Sequence, residues 1–131
     1  MTAGQSSTGR PVVTPAHEDR LALLFKALGD LNRLRVLAAL LAGETSVGKI
    51  ALATGLPRAT VSRAVGLFVR HDLLLRGRSG GALVYRPATA QLQRLVDAAG
   101  ALLADSRLPA GSRLAASRAF GLDQRDRSER A

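Results

Sequence analysis

The chain has 131 residues, 47% of them apolar, a formal net charge of +9 and no cysteine. That is room for one domain with a modest core, and with three Phe and one Tyr the core must be mostly Leu, Val and Ala, which suits packed helices better than a β-sandwich. The absence of Cys removes disulfides, thiol redox sensing and Cys-based metal sites, no run approaches the roughly 18 apolar residues of a bilayer span, and Met1-Thr2-Ala3-Gly4-Gln5-Ser6-Ser7 lacks the basic and apolar parts of a secretory leader. A cytoplasmic protein with no membrane partner is expected.

Residues 1–13, rich in Gly, Ser and Thr, read as a disordered tail, and residues 14–104 as the folded domain. Thr14-Pro15 predicts an N-cap followed by Pro at the first helical position. Leu21, Leu24, Phe25 and Leu28 then form a stripe to Gly29. Asp30 caps a second helix over 31–42, with Leu34, Leu37, Ala38 and Leu41 expected inward and Gly43 as its left-handed stop. Ser46 opens a short third helix to Gly55. Pro57 starts a fourth that runs to about His71, with Val61, Val65 and Phe68 inward. The period then changes: Leu73 to Arg78 and Ala82 to Arg86 flank Ser79-Gly80-Gly81, a hairpin signal. Helical spacing returns near Ala88, with Leu92, Leu95, Val96, Ala99, Leu102 and Leu103 as a stripe ending at Ala104. Residues 105–131 read as a basic, mostly disordered tail with a short helix over 112–120. The order is α-α-α-α-β-β-α, a mainly α winged helix-turn-helix with a two-stranded wing.

The charge is unevenly placed. Residues 56–86 carry six Arg (Arg58, Arg63, Arg70, Arg76, Arg78 and Arg86) against Asp72 alone, a net of +5 in about a quarter of the chain. A GC-rich genome would explain Arg in place of Lys but not the missing acids. Such a concentrated field draws a polyanion, with double-stranded DNA the leading partner. Within it, two helices joined through Gly55 form a helix-turn-helix whose second member opens with Arg58, Ala59, Thr60, Ser62 and Arg63. That end enters the major groove in such motifs, where Arg can address guanine or phosphate and hydroxyls can address either. The expected DNA-binding set is Ser46, Arg58, Ala59, Thr60, Ser62 and Arg63, joined on the wing by Arg76, Arg78, Ser79 and Arg86. A hairpin with no acid on it fits a wing that follows the sugar-phosphate backbone.

Three motifs in order also carry a family resemblance. Leu24-Phe25-Lys26-Ala27-Leu28-Gly29-Asp30-Leu31-Asn32-Arg33-Leu34-Arg35-Val36-Leu37 resembles the KALADPTRLRIL opening of ArsR/SmtB-type repressors. Gly55-Leu56-Pro57-Arg58-Ala59-Thr60-Val61-Ser62-Arg63-Ala64 is similar to their GLSQSTVSHHL recognition helix, and Leu73-Leu74 with the Arg-rich hairpin and Val84-Tyr85-Arg86 resembles their wing. The likeness spans about residues 20–104. It implies a homodimer whose first and last helices pack across a twofold axis, through Leu21, Leu24, Phe25, Leu92, Leu95, Val96, Ala99 and Leu103; the alternative is that these helices only complete the monomer core. A twofold would set two recognition helices about 34–36 Å apart on a pseudo-palindromic operator.

Many members of the resembled family sense metals, but this chain departs from their ligand patterns, so no metal site of the usual type and no cofactor is expected. Where arsenic-type members carry Glu-x-Cys-Val-Cys, this chain has Glu44-Thr45-Ser46-Val47-Gly48, and neither Ser46 nor Gly48 replaces a thiolate. The last helix offers Asp97 with no histidine beyond it. His17, beside Glu18 and Asp19, reads as an exposed helix-start residue, and His71 as a helix end where positive charge is favoured. The sequence identifies no effector: an unidentified small molecule, a partner protein, or nothing beyond the protein's own concentration all stay open. No acid–base pair, nucleophile–base pair or phosphate loop points to an enzyme. The reading is a sequence-specific regulator acting as a repressor; activation is the other sign open to it, set by where the operator lies relative to the promoter. The alternatives are a winged-helix protein-interaction module or a non-specific, nucleoid-type DNA binder.

Overall fold

Helix boundaries in this chain are written largely by its caps, and the computed structural model, which describes residues 13–105 and 107, follows them closely. Helix α1 spans Pro15–Leu28, α2 Leu31–Leu41, α3 Val47–Thr54 and α4 Arg58–Arg70; β1 is Leu74–Ser79, β2 is Ala82–Pro87, and α5 is Gln91–Ala104. The expected tail over 1–13 and the expected helix over 112–120 fall, apart from Val13, outside the described residues. The chain divides into two compact units between Ala88 and Thr89.

In the first unit each turn has a local cause. Thr14 sits at the N-cap of α1, but its hydroxyl pairs with Nδ1 of His17 at 2.6 Å rather than with the backbone. Asp30 accepts from the Arg33 amide at 2.9 Å, so α2 starts on a satisfied cap. The end of α2 is a Schellman turn: the Glu44 amide reaches the Ala39 carbonyl, the Gly43 amide reaches Leu40, and Gly43 takes φ +119°. Ser46 Oγ accepts from the Lys49 amide at 3.3 Å to open α3, and Gly55 at φ +74° ends it. Helix α4 closes on a second Schellman turn, Leu73 to Phe68 and Asp72 to Val69. Here the left-handed residue is Asp72, at φ +60°, where the sequence carries no glycine.

Val36, Leu37 and Leu40 of α2, Ile50 of α3 and Val61, Ala64, Val65 and Phe68 of α4 form the core, with Leu74 and Tyr85 from the hairpin. This corrects the expected inner face of α2. Leu37 is inward, but Leu34 is 41% exposed, Ala38 is exposed and Leu41 is half-buried. The stretch Leu31–Leu41 is apolar on more than one side, so helical spacing alone admits a second stripe. The buried one is selected by where α3 and α4 pack. Helix α1 is buried only at Ala27 and Leu28; Leu23 is 52% and Phe25 54% exposed.

The hairpin is antiparallel, from Leu74 opposite Pro87 to Ser79 opposite Ala82. Gly80 and Gly81, at φ +57° and +84°, form the two-residue turn whose twist suits a tight hairpin. In the second unit, α5 starts with the Gln91 amide bonded to Thr89 Oγ1 and carries a Gln93–Asp97 pair on its surface. It begins three residues later than its periodicity suggested, at Gln91 rather than Ala88. Beyond it, the exposed Arg107 guanidinium holds the half-buried Asp105 carboxyl below its ordinary range. Among the described residues no helix is long and apolar enough to cross a membrane.

Candidate nucleic-acid interface

The geometry that could meet DNA begins with the amphipathic division of α4. Val61, Ala64, Val65 and Phe68 are buried, which leaves Arg58, Ala59, Ser62 and Arg63 exposed on the opposite side and Thr60 half-buried between them. Small residues at 59, 60 and 62 keep that surface low beside the exposed Arg63. The Arg63 Nη2 lies 3.5 Å from Thr60 Oγ1, a contact too long to hold the side chain in place. Arg58 behaves differently. Its guanidinium lies against the first turn of α3, with a Cβ at Gly48 meeting its Cζ at 3.6 Å. Gly48 and Arg58 therefore pack at ordinary van der Waals distance.

The outward side of α4 faces the start of α2 across a groove of about 690 Å³, lined among others by Thr60, Ser62, Arg63 and Arg70 from α4, by Asn32 and Arg33 from α2, and by Asp30, the cap of α2. Sequence reasoning did not include Asn32, Arg33 or Arg70 in the site. Asn32 and Arg33 belong to a helix start far away in the chain, and no local pattern ties a helix start to the recognition helix. Arg33 also has a structural duty. Its Nε donates to the Ala27 carbonyl at 2.6 Å and its Nη2 to the Lys26 carbonyl at 3.0 Å, capping the end of α1.

The wing is fixed at its base by the buried Tyr85, whose amide donates to the Thr45 carbonyl at 2.8 Å, just before α3. Arg76 stands opposite Tyr85 with its guanidinium 5.7 Å from the ring centroid. At the tip, Arg78 donates from Nη1 to the Gly81 carbonyl at 2.9 Å, bracing the turn beside the exposed Ser79. Alternation along the strands puts Arg76 and Arg78 on the face shared with Leu74 and Tyr85, and Arg86, paired with Leu75, on the other. The three wing arginines therefore do not form one surface. Ser46 is half-buried and its oxygen is engaged as the α3 cap.

On the helices expected to pair two copies, Leu21 and Leu24 are half-buried and Phe25 is exposed. On α5, Leu92 is buried, Leu95 and Val96 are half-buried, and Ala99 and Leu103 are exposed.

Comparison with known proteins gives the same architecture. The profile of the MarR family matches residues 30–82. No curated protein matches the sequence. Among solved structures, the homodimeric winged helix-turn-helix DNA-binding domain of Mb0332 from Mycobacterium bovis, described as a possible ArsR-family transcriptional regulator, is 30% identical. Its match covers 77% of this chain and 98% of that one, with a TM-score of 0.59. The transcriptional repressor BigR from Xylella fastidiosa is 26% identical over 75% of this chain and 92% of its own, with a TM-score of 0.57. The antimony-specific transcriptional repressor AntR is similar in fold, with a TM-score of 0.65 at 24% identity over 83% of this chain and 99% of that one. The hydroxyl- and arginine-bearing face of α4, the braced wing and these likenesses agree: the chain belongs to the winged helix-turn-helix transcription regulators.

Proposed function

We propose that the protein is an ArsR-type, sequence-specific repressor that binds a pseudo-palindromic operator as a homodimer. The observation that carries the reading is the exposed side of α4, where Arg63, Ser62 and Arg58 surround small residues on a helix that itself carries no acid. Such a surface offers hydrogen-bond donors to base edges and phosphates without bulk that would hold the helix out of the groove. On this reading Arg63, the less restrained guanidinium, reads a base edge, while Arg58, Arg76 and Arg78 hold the phosphate backbone. Asn32 at the start of α2 adds a further contact across the shared groove.

The ArsR-type assignment rests on the residue resemblance over 20–104 and on the likeness to Mb0332. The MarR profile covers 30–82 only, without the two helices expected to pair. Pairing is supported by the exposed Leu23 and Phe25 on α1 and Leu102 on α5, apolar side chains of a kind that dimer interfaces cover, and by the homodimeric state of Mb0332.

The test is binding of the purified protein to its own upstream intergenic DNA and to scrambled DNA of equal length, by fluorescence anisotropy at about 0.15 M salt. Preference for the native sequence by roughly 10³ or more is expected of a specific regulator. Equal affinity with a steep salt slope would replace this reading with a non-specific binder, and no binding with a docking module.

A further inference from the structure

Glycine is a poor residue for the interior of a helix, because it loses more freedom on folding than any other and brings no side chain to pack. Gly66 nevertheless lies inside α4, without a positive φ, on the stripe that carries Ala59, Ser62, Arg63 and Arg70. Nothing among the described residues calls for it. A Cβ there would meet only Nη1 of Arg70, at 3.8 Å, which is ordinary contact. The space above Gly66 is open to a molecule approaching α4 from outside, and it belongs to the groove shared with Asn32 and Arg63.

Arg70 reaches into the same space. It is exposed, and among the described residues its guanidinium has no hydrogen-bond or ion-pair partner. With Nη1 over Gly66, the side chain folds back one turn toward the start of α4. Arg70 also borders a second groove, beside α1, which His17 and His71 line together with Leu21 and Leu24 of the expected pairing face. Gly66 lines the first groove and not the second, so a guanidinium lying over it is on the side that faces DNA. The one acid of that groove, Asp30, accepts from the Arg33 amide, and the Arg33 guanidinium is engaged by the carbonyls of α1. Depth fits as well. Arg70 lies two turns beyond Arg63, roughly 10 Å along the axis. A major groove is about 8.5 Å deep. With α4 entering by its N-terminal end and Arg63 at a base edge, Arg70 is level with the phosphates that border the groove.

We propose that Gly66, Arg70 and Asn32 form a phosphate seat. One phosphate of the strand bordering the major groove lies over Gly66, held by the Arg70 guanidinium and the Asn32 amide. Glycine lets the strand come close to the helix backbone, and the guanidinium makes a charge-assisted pair with the phosphate oxygens. The seat rests on the reading of α4 as the helix that enters DNA. It adds a sequence-independent contact that sets how deeply the helix enters.

The test is fluorescence anisotropy of the full chain on its upstream intergenic DNA and on scrambled DNA, from about 0.05 to 0.2 M salt. Arg70→Ala should weaken both DNAs by the same factor, about tenfold or more, and lower the salt slope by about one per bound chain. Arg70→Lys should keep the slope, because the charge remains. Arg70 is exposed, so the variants should fold, which circular dichroism checks, and sedimentation should show pairing as in the native chain. Gly66→Leu is an independent probe. It should unfold at or above the native Tm, since Leu is the better helix former, yet bind both DNAs at least tenfold more weakly.

A native chain that binds its own DNA while Arg70→Ala keeps the full salt slope overturns the seat and leaves the proposed function standing. So does a folded Gly66→Leu that binds as the native chain does. A loss confined to the native sequence makes Arg70 a base contact, and a loss that tracks lost pairing assigns it to the interface between copies; both overturn the seat. Equal affinity of the native chain for the two DNAs overturns sequence-specific binding alone, because the slope of Arg70→Ala still reads the phosphate contact. A native chain that binds no DNA overturns the proposed function and the seat together.

Discussion

Asp72 is the place where the backbone at the end of α4 can be tested most directly. It holds φ +60° at the end of α4, where the chain turns out of the helix and into the wing. A non-glycine residue in this region carries a cost of about 1–2 kcal/mol, with Asp near the lower end because it enters left-handed backbone more readily than most. Glycine removes that cost but adds freedom to the unfolded chain, worth roughly 0.4–1 kcal/mol in the opposite sense. Asp72→Gly should therefore be neutral to slightly stabilising, by about 0.5 kcal/mol or less. Asp72→Ala keeps the full steric cost and should lose about 0.5–1 kcal/mol. The gap between the two variants is then about 1 kcal/mol, or roughly 4–8 °C in Tm for a domain of this size. Thermal unfolding followed by far-UV circular dichroism measures it. Protein concentration must be matched, because pairing of two copies would make Tm concentration-dependent. A Tm for Asp72→Ala equal to or above that of Asp72→Gly would refute the assignment of left-handed backbone at this residue.

Four other substitutions probe separate parts of the molecule. Arg63→Ala should cost about 1–3 kcal/mol on the operator and relax specificity, whereas Arg78→Ala should weaken all DNA alike and reduce the salt slope by about one; anisotropy across a salt series separates them, and equal effects on every sequence would remove base readout by α4. Phe68→Ala empties the centre of the core, where the ring is fully buried, and should cost about 3–5 kcal/mol in chemical denaturation, a large fraction of the stability of a small domain. Arg33→Ala removes two hydrogen bonds to the last carbonyls of α1 and should destabilise by about 1–2 kcal/mol; a change within experimental error would show that water replaces the guanidinium there.

Much of this architecture is legible one turn at a time. Pro15, Asp30, Gly43, Ser46, Gly55 and Pro57 mark helix ends because caps and left-handed stops depend on residues within a few positions of one another. Gly80-Gly81 marks the hairpin for the same reason, and the spacing of Val61, Val65 and Phe68 identified the inner side of α4. Local rules failed where more than one solution satisfied them or where the usual residue was missing. Helix α2 has two apolar stripes, and only packing against α3 and α4 selects Val36, Leu37 and Leu40 over Leu34 and Ala38. The left-handed turn at Asp72 carries no glycine to announce it.

What the tertiary structure alone decided is which distant residues stand together. It puts Asn32 and Arg33 in one groove with Arg63, His17 in one groove with His71, and Arg70 on the lining of both. It also separates Arg86 from Arg76 and Arg78, through a strand register that composition does not express. The reason is physical. Caps and turns are closed by neighbours in the chain, whereas grooves and charged faces are made by helices that meet only after the core between them has packed.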